Sequence, residues 1–175
     1  LYEAATAGEL TGLAGPSESI LCEGYSMAEA LAEDLQAAGH DVAVIVGGEG
    51  RSSRPRFDTG KARRVWAQGR PRDALRRELR RCDAAYVVAP ESGGMLFQLI
   101  QMVEELCGSE ATLNLPSSAV RRASDKVRVY ESLRSRGLSV PRSLPFDITN
   151  LRGSSEICST LGFPLVLKPS HGRVA

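Results

Sequence analysis

Two lysines and one glycine-bearing loop hold the residue types that could do chemistry in this 175-residue chain. Lys168 closes the apolar run "FPLVLKP" and is followed by Ser170, His171 and Gly172. Lys126 opens the helical stretch "KVRVYESLRSRG". Ammonium groups delivered by two different elements can reach phosphate oxygens as point charges. The plainer reading of both is a solvated surface lysine. The loop "PESGGML" sits between two apolar runs, so it reads as a strand-to-helix turn whose amide groups face a crevice and could hold an anion. In that loop Glu91 could bind an amine or orient a substrate, with Ser92 and Gly93 beside it. Equally, Glu91 and Ser92 suit a helix start, where acids and serines are favoured.

The elements that must position these residues follow from periodicity. Residues 1–15 read as the tail of a strand and then a small-residue loop with Gly8, Gly12 and Gly15. Residues 22–38 place Met27, Ala30, Leu31, Asp34, Leu35 and Ala38 at helical spacing, and Gly39 stands where a left-handed cap belongs. "DVAVIVG" (41–47) is a buried strand. "PRDALRRELRR" (71–81) is a helix opened by proline. "AAYVVAP" (84–90) is a strand, the next helix ends before Gly108, and "ATLNLP" (111–116) is a short strand. Alternation at this spacing implies an α/β fold with a parallel sheet and helices on its faces. Ligands then bind beyond the carboxyl ends of the strands, where the loops 4–17, 47–60 and 90–95 lie. After Pro116 a helical stretch (117–137) breaks near Ala123, with Ser124 as the cap of its second part. A short helix (154–162) and a strand (163–169) ending in Lys168 complete the chain. The domain boundary is placed near residue 120. Both ends read as cut.

Composition removes several function classes. The net charge is +1, so no overall basic field would hold nucleic acid or an anionic membrane. Four separated cysteines form no CxxC pair and read as reduced thiols in or near cores. Only two histidines are present, which argues against a Cys/His zinc site and against a Ser/His/Asp nucleophile. No apolar run reaches membrane-spanning length, no signal peptide is visible, and the expected location is cytoplasmic. Residues 51–81 carry twelve Arg or Lys against three acids, with Phe57 and Trp66 as the only aromatics. That pattern reads as a solvated helix face, against a docking surface for an acidic partner or substrate. "RSSRPRFDTGKARR" reads as a mobile loop that orders over substrate.

The order and spacing of residues 124–169 resemble the start of the ATP-grasp fold. The matching features are Lys126, the connector Gly137, Val140 and Pro141, and "GFPLVLKP" from Gly162 to Pro169. The front half is similar to the DUF201-type ATP-grasp ligases, a family that includes tyramine–glutamate ligase of methanofuran biosynthesis. Glu23, Gly24, Met27 and Leu31 match its "EG-x-x-M-x-x-A-L" helix, and Ala89, Pro90, Glu91, Gly94 and Leu96 match its "APE-x-x-G-x-L" loop. The resemblance implies a Rossmann-like preATP-grasp domain (1–120) followed by the first part of an ATP-grasp domain (121–175). It implies ATP-dependent ligation of a carboxylate to an amine, with glutamate and an aromatic amine as the pair. It assigns Lys126 and Lys168 to the phosphates, and Ser170, His171 and Gly172 to the start of a closing loop. "HGRVA" departs from that loop's further glycines, and His171 stands equally as an exposed loop histidine. Mg²⁺ is implied, with its ligands expected beyond residue 175, and a homodimer is the assembly that many relatives form. Two other readings stand beside this one: a degenerate nucleotide-binding relative without catalysis, and a basic-surface interaction protein on a Rossmann-like scaffold.

Overall fold

Short apolar segments pair in parallel. In the computed structural model, which describes residues 1–10, 17–48, 58–149 and 153–171, β1 (Tyr2–Glu3) runs beside β4 (Val87–Val88), with Tyr2 opposite Val87. β2 (Ala43–Gly47) runs beside β3 (Arg63–Ala67), with Ile45 opposite Val65. Leu1 stitches the two pairs together: its N–H donates to Ala43 O (2.7 Å), and its carbonyl accepts from Ile45 N (3.2 Å). The strands therefore lie in the order β3, β2, β1, β4. A parallel bridge between Ala85 and Thr112 continues outward past β4.

Side chains alternate across the sheet. Val44 and Val46 pack with Ala32 and Leu35 of α2 (Glu18–Ala37). Tyr2, Ile45 and Ala67 pack with Leu75 and Leu79 of α3 (Pro71–Leu79) and with Leu99, Ile100 and Val103 of α4 (Met95–Cys107). Helices thus cover both faces, and the fold is α/β. The three α4 residues are fully buried. Each contributes about 1.5–3 kcal/mol relative to exposure, so α4 is a fixed base for the loop before it.

Among the described residues the remaining α-helices are α1 (Ala4–Ala7), α5 (Ser117–Ala123), α6 (Lys126–Ser135) and α7 (Ser154–Leu161). Val120 joins the core under α4, whereas no described residue after it is buried.

Several expectations need correction. The helix expected over 22–38 starts at Glu18, where Ser17 Oγ accepts from Ile20 N. Its buried face carries Gly24, Tyr25, Ala28 and Ala32, while Met27 is exposed. Close approach selects the small residues: a Cβ on Gly24 would collide with the Glu3 carboxylate and come within 3.0 Å of Ala5 Cβ. The segment after β1 is one turn of helix rather than a plain loop, because Glu3 accepts from Ala5 N (3.0 Å) and Thr6 N (2.6 Å). Gly12 and Gly15 lie outside the described residues.

The basic run contains a strand, β3, that charge alone disguised. Arg63 and Arg64 are strand residues, not part of a mobile loop, and Arg63 pairs with the buried Glu78 (2.6 Å). Residues 51–57 lie outside the described residues. The strand expected at 111–116 shrinks to the Thr112 bridge, and the Asn114 side chain takes over the ladder. Its Oδ1 accepts from Val87 N (2.8 Å), and its Nδ2 donates to Val87 O (2.8 Å). The strand expected at 163–169 has no ladder among the described residues, and Phe163, Val166 and Leu167 are exposed. An apolar extended segment needs a neighbouring strand for its amides. The cap of α6 is Asp125, not Ser124. Cys22 and Cys107 are exposed, although Cys107 Sγ donates to the carbonyl of the core residue Leu79 (3.4 Å).

Candidate functional site

Asp125 builds the first candidate site. Its Oδ1 accepts from Val127 N (3.0 Å) and Arg128 N (3.2 Å), which fixes the start of α6. Its Oδ2 faces Arg128 Nε (3.2 Å) and His171 Nε2 (3.7 Å). Asp125 and His171 form an antiparallel bridge, and Lys126 N donates to Ser170 O (2.9 Å). The segment carrying Lys168 is thereby tied by backbone to the residue that opens α6. Ser170 Oγ lies 3.1 Å from His171 Nδ1.

Lys126, Lys168, Ser170 and His171 are all exposed, and Lys168 has no partner among the described residues. Gly172 lies outside them. Two ammonium groups, a hydroxyl and an imidazole suit an anionic ligand such as a nucleotide's phosphates. Among the described residues no three His, Cys, Asp or Glu side chains gather as a metal-binding group. A shallow open depression of about 500 Å³ lies farther along α6, lined by Tyr130, Arg134, Val140, Arg142 and Leu144 among others. Lys126, Lys168, Ser170 and His171 do not line it.

The second candidate is at the carboxyl edge of the sheet. Gly93 (φ 65°) and Gly94 (φ 70°) are both left-handed, which only glycine adopts without strain. Gly94 N donates to Glu91 O (3.1 Å), and α4 starts without a side-chain cap. Among the described residues Glu91 and Ser92 make no capping bond, and with Gly93 they are exposed.

Beside this edge stands a network that sequence reasoning missed. Glu9 Oε1 accepts from Arg72 Nε (2.5 Å), and Glu9 Oε2 accepts from Tyr2 OH (2.8 Å). Arg72 Nη1 donates to Gln98 Oε1 (3.2 Å). Burial, then the bond to Glu9, pushes the Tyr2 phenol far up from its ordinary value. No spacing links residues 2, 9, 72 and 98, so the only trace in the sequence is an arginine directly after a helix-opening proline.

Residues 42–120 match the model of the pre ATP-grasp 3 domain. The fold is also similar to the crystal structure of a protein from Archaeoglobus fulgidus assigned to the ATP-grasp superfamily. That match has a TM-score of 0.61 and 26% identity, and it covers 83% of this chain and 42% of that one. This chain therefore spans less than half the length of the structure it matches. Comparison with curated proteins finds no match. The domain match and the structural likeness together support a relationship with the ATP-grasp superfamily. No helix among the described residues is long and apolar enough to cross a membrane.

Proposed function

We propose that this chain supplies the front of an ATP-dependent carboxylate–amine ligase. A carboxylate oxygen attacks the γ-phosphorus of ATP, and the bond to ADP breaks. The amine nitrogen then attacks the acyl carbon, the C–O bond to phosphate breaks, and the amine gives up a proton. Converting carboxylate into an acyl phosphate supplies the leaving group that carboxylate lacks.

The protein's share is position and charge. Lys126 and Lys168 hold phosphate oxygens, while Ser170 and His171, with Gly172, begin the loop over them. Glu91, Ser92 and Gly93 meet the carboxylate or amine substrate. Mg²⁺, when bound, would neutralise charge between the phosphates. Glutamate and an aromatic amine, joined in a methanofuran-type pathway, are the substrates we favour.

One observation carries this reading: the Lys126 N to Ser170 O bond, which holds the two lysine-bearing segments side by side. A fluorescent ATP analogue titrated against this chain tests it. Lys168→Ala should weaken binding roughly 10–100-fold, the loss of one hydrogen bond to a charged group. Wild-type affinity in both Lys168→Ala and Lys126→Ala would remove the assignment. In a longer protein containing this chain, ADP release should require glutamate and tyramine together.

A further inference from the structure

We infer that Arg72 and Gln98 form a carboxylate-binding fork at the carboxyl edge of the sheet, held in place by Glu9 and Tyr2. The fork would receive the carboxylate of an acidic substrate. Taking that anion as a substrate group rests on the ligase reading above.

Position is the first argument. The chain leaves β1 toward β2 on one side and leaves β4 toward Thr112 on the other, so strand order reverses between β1 and β4. Crevices at such reversals are where open α/β sheets bind ligands. Glu9 follows β1, Arg72 is in the first turn of α3 after β3, and Gln98 is in the first turn of α4 after β4. All three segments come off the same edge.

Local preference is the second argument. A cation in the first turn of a helix meets the positive end of its dipole. Arg72 holds that unfavourable position in α3, so a contact outside the helix must fix it there. Glu9 supplies the contact, but through Arg72 Nε alone. Its other oxygen is occupied by Tyr2 OH, and its side chain is only 11% exposed, so it cannot swing to cover more of the guanidinium.

The donors left over are the third argument. Arg72 Nη2 and Gln98 Nε2 have no acceptor among the described residues, and Arg72 is 31% exposed. Gln98 uses one hydrogen of Nη1, so the second Nη1 hydrogen and Nη2 remain to meet the two oxygens of a carboxylate. Glu9 already balances the charge of Arg72, so the fork suits a singly charged planar anion better than a phosphate dianion. The exposed turn at Ser92 and Gly93 opens beside the start of α4. Thr6 Oγ1, buried and without a hydrogen-bond partner among the described residues, belongs to the same strand end.

The test is a calorimetric titration of the 175-residue chain with L-glutamate, succinate and inorganic phosphate, and separately with the ATP analogue. Glutamate or succinate should bind saturably. Arg72→Gln and Arg72→Lys should each weaken that binding at least about tenfold, because a lysine keeps the charge and loses the fork. Gln98→Leu, at an exposed position, should weaken it several-fold with the fold intact. ATP-analogue affinity should not change in any of the three.

No saturable carboxylate binding, or equal binding in Arg72→Lys and Gln98→Leu, would overturn the inference. So would a site that takes phosphate in preference to both acids. Arg72-dependent carboxylate binding in a chain that never binds the ATP analogue would keep the fork and sink the ligase reading.

Discussion

Gly24 in α2 offers a sharp test of the packing around β1. On an exposed helix, Gly→Ala gains about 1 kcal/mol. Here the new methyl would enter the space of the Glu3 carboxylate, which is 3% exposed and pinned by two backbone N–H groups at 3.0 and 2.6 Å. Overpacking costs about 1–3 kcal/mol. Glu3 must yield as well, so α1 also loses its cap at about 1 kcal/mol, while Ala5 Cβ stays 3.0 Å from the new methyl. With the helix gain subtracted, Gly24→Ala should destabilise the chain by about 1–3 kcal/mol, a drop of roughly 2–12 °C in melting temperature for a chain of this size. Urea and thermal melts read this directly. A Glu3→Ala background removes the obstacle, so the cost of Gly24→Ala should shrink there by about 1–2 kcal/mol. A Gly24→Ala protein as stable as wild type would refute the close approach of α2 to β1.

Two further outcomes follow from the same sheet. Asn114→Ala should cost about 2–3 kcal/mol, because it leaves both the N–H and the C=O of buried Val87 without their partner; the urea midpoint measures it, and an unchanged midpoint would show that the side chain does not extend the ladder. Tyr2 carries a phenol pushed up from 10.0, first by burial, so it keeps its proton folded and loses it unfolded. Its contribution is complete below pH 10 and declines above it by up to about 1.4 kcal/mol per pH unit. Tyr2→Phe should flatten that alkaline loss in a pH series of urea melts.

The alternation of apolar strands and amphipathic helices was legible because burial imposes its period on the sequence. Three features escaped for identifiable reasons. β3 hides its period because Arg63, Arg64 and Trp66 are exposed, which leaves only Val65 and Ala67 as the inward signal. Beside Tyr25, the buried face of α2 is made of Gly24, Ala28 and Ala32, residues that hydrophobicity weighs lightly and close packing requires. Val87 is served by an amide side chain from Asn114, which no strand pattern records. At the candidate sites, Lys126, Lys168 and the Glu91–Gly94 loop stood out by their places next to strands and helix starts. Asp125 as the clamp and Arg72 as the fork depend on partners 46 and 63 residues away, so only the fold reveals them.

The two candidate sites are joined by a stiff connection. Ser117 donates from its backbone N–H (2.8 Å) and from its hydroxyl to Glu104 of α4, which anchors the start of α5. Arg121 of α5 sits 5.7 Å over the ring of Phe97 in the first turn of α4, a cation–π contact. Val120 is buried in the core beneath them. α4 therefore carries the exposed Glu91–Gly93 turn and Gln98 at one end, and along its length it holds the helix that leads within two residues to Asp125. Asp125 in turn fixes Lys126 and holds His171. A substrate group in the fork and a phosphate at the two lysines would be referred to the same buried helix. On the proposed ligase reading, in-line transfer needs that kind of fixed separation between carboxylate and phosphorus, and neither loop could provide it alone.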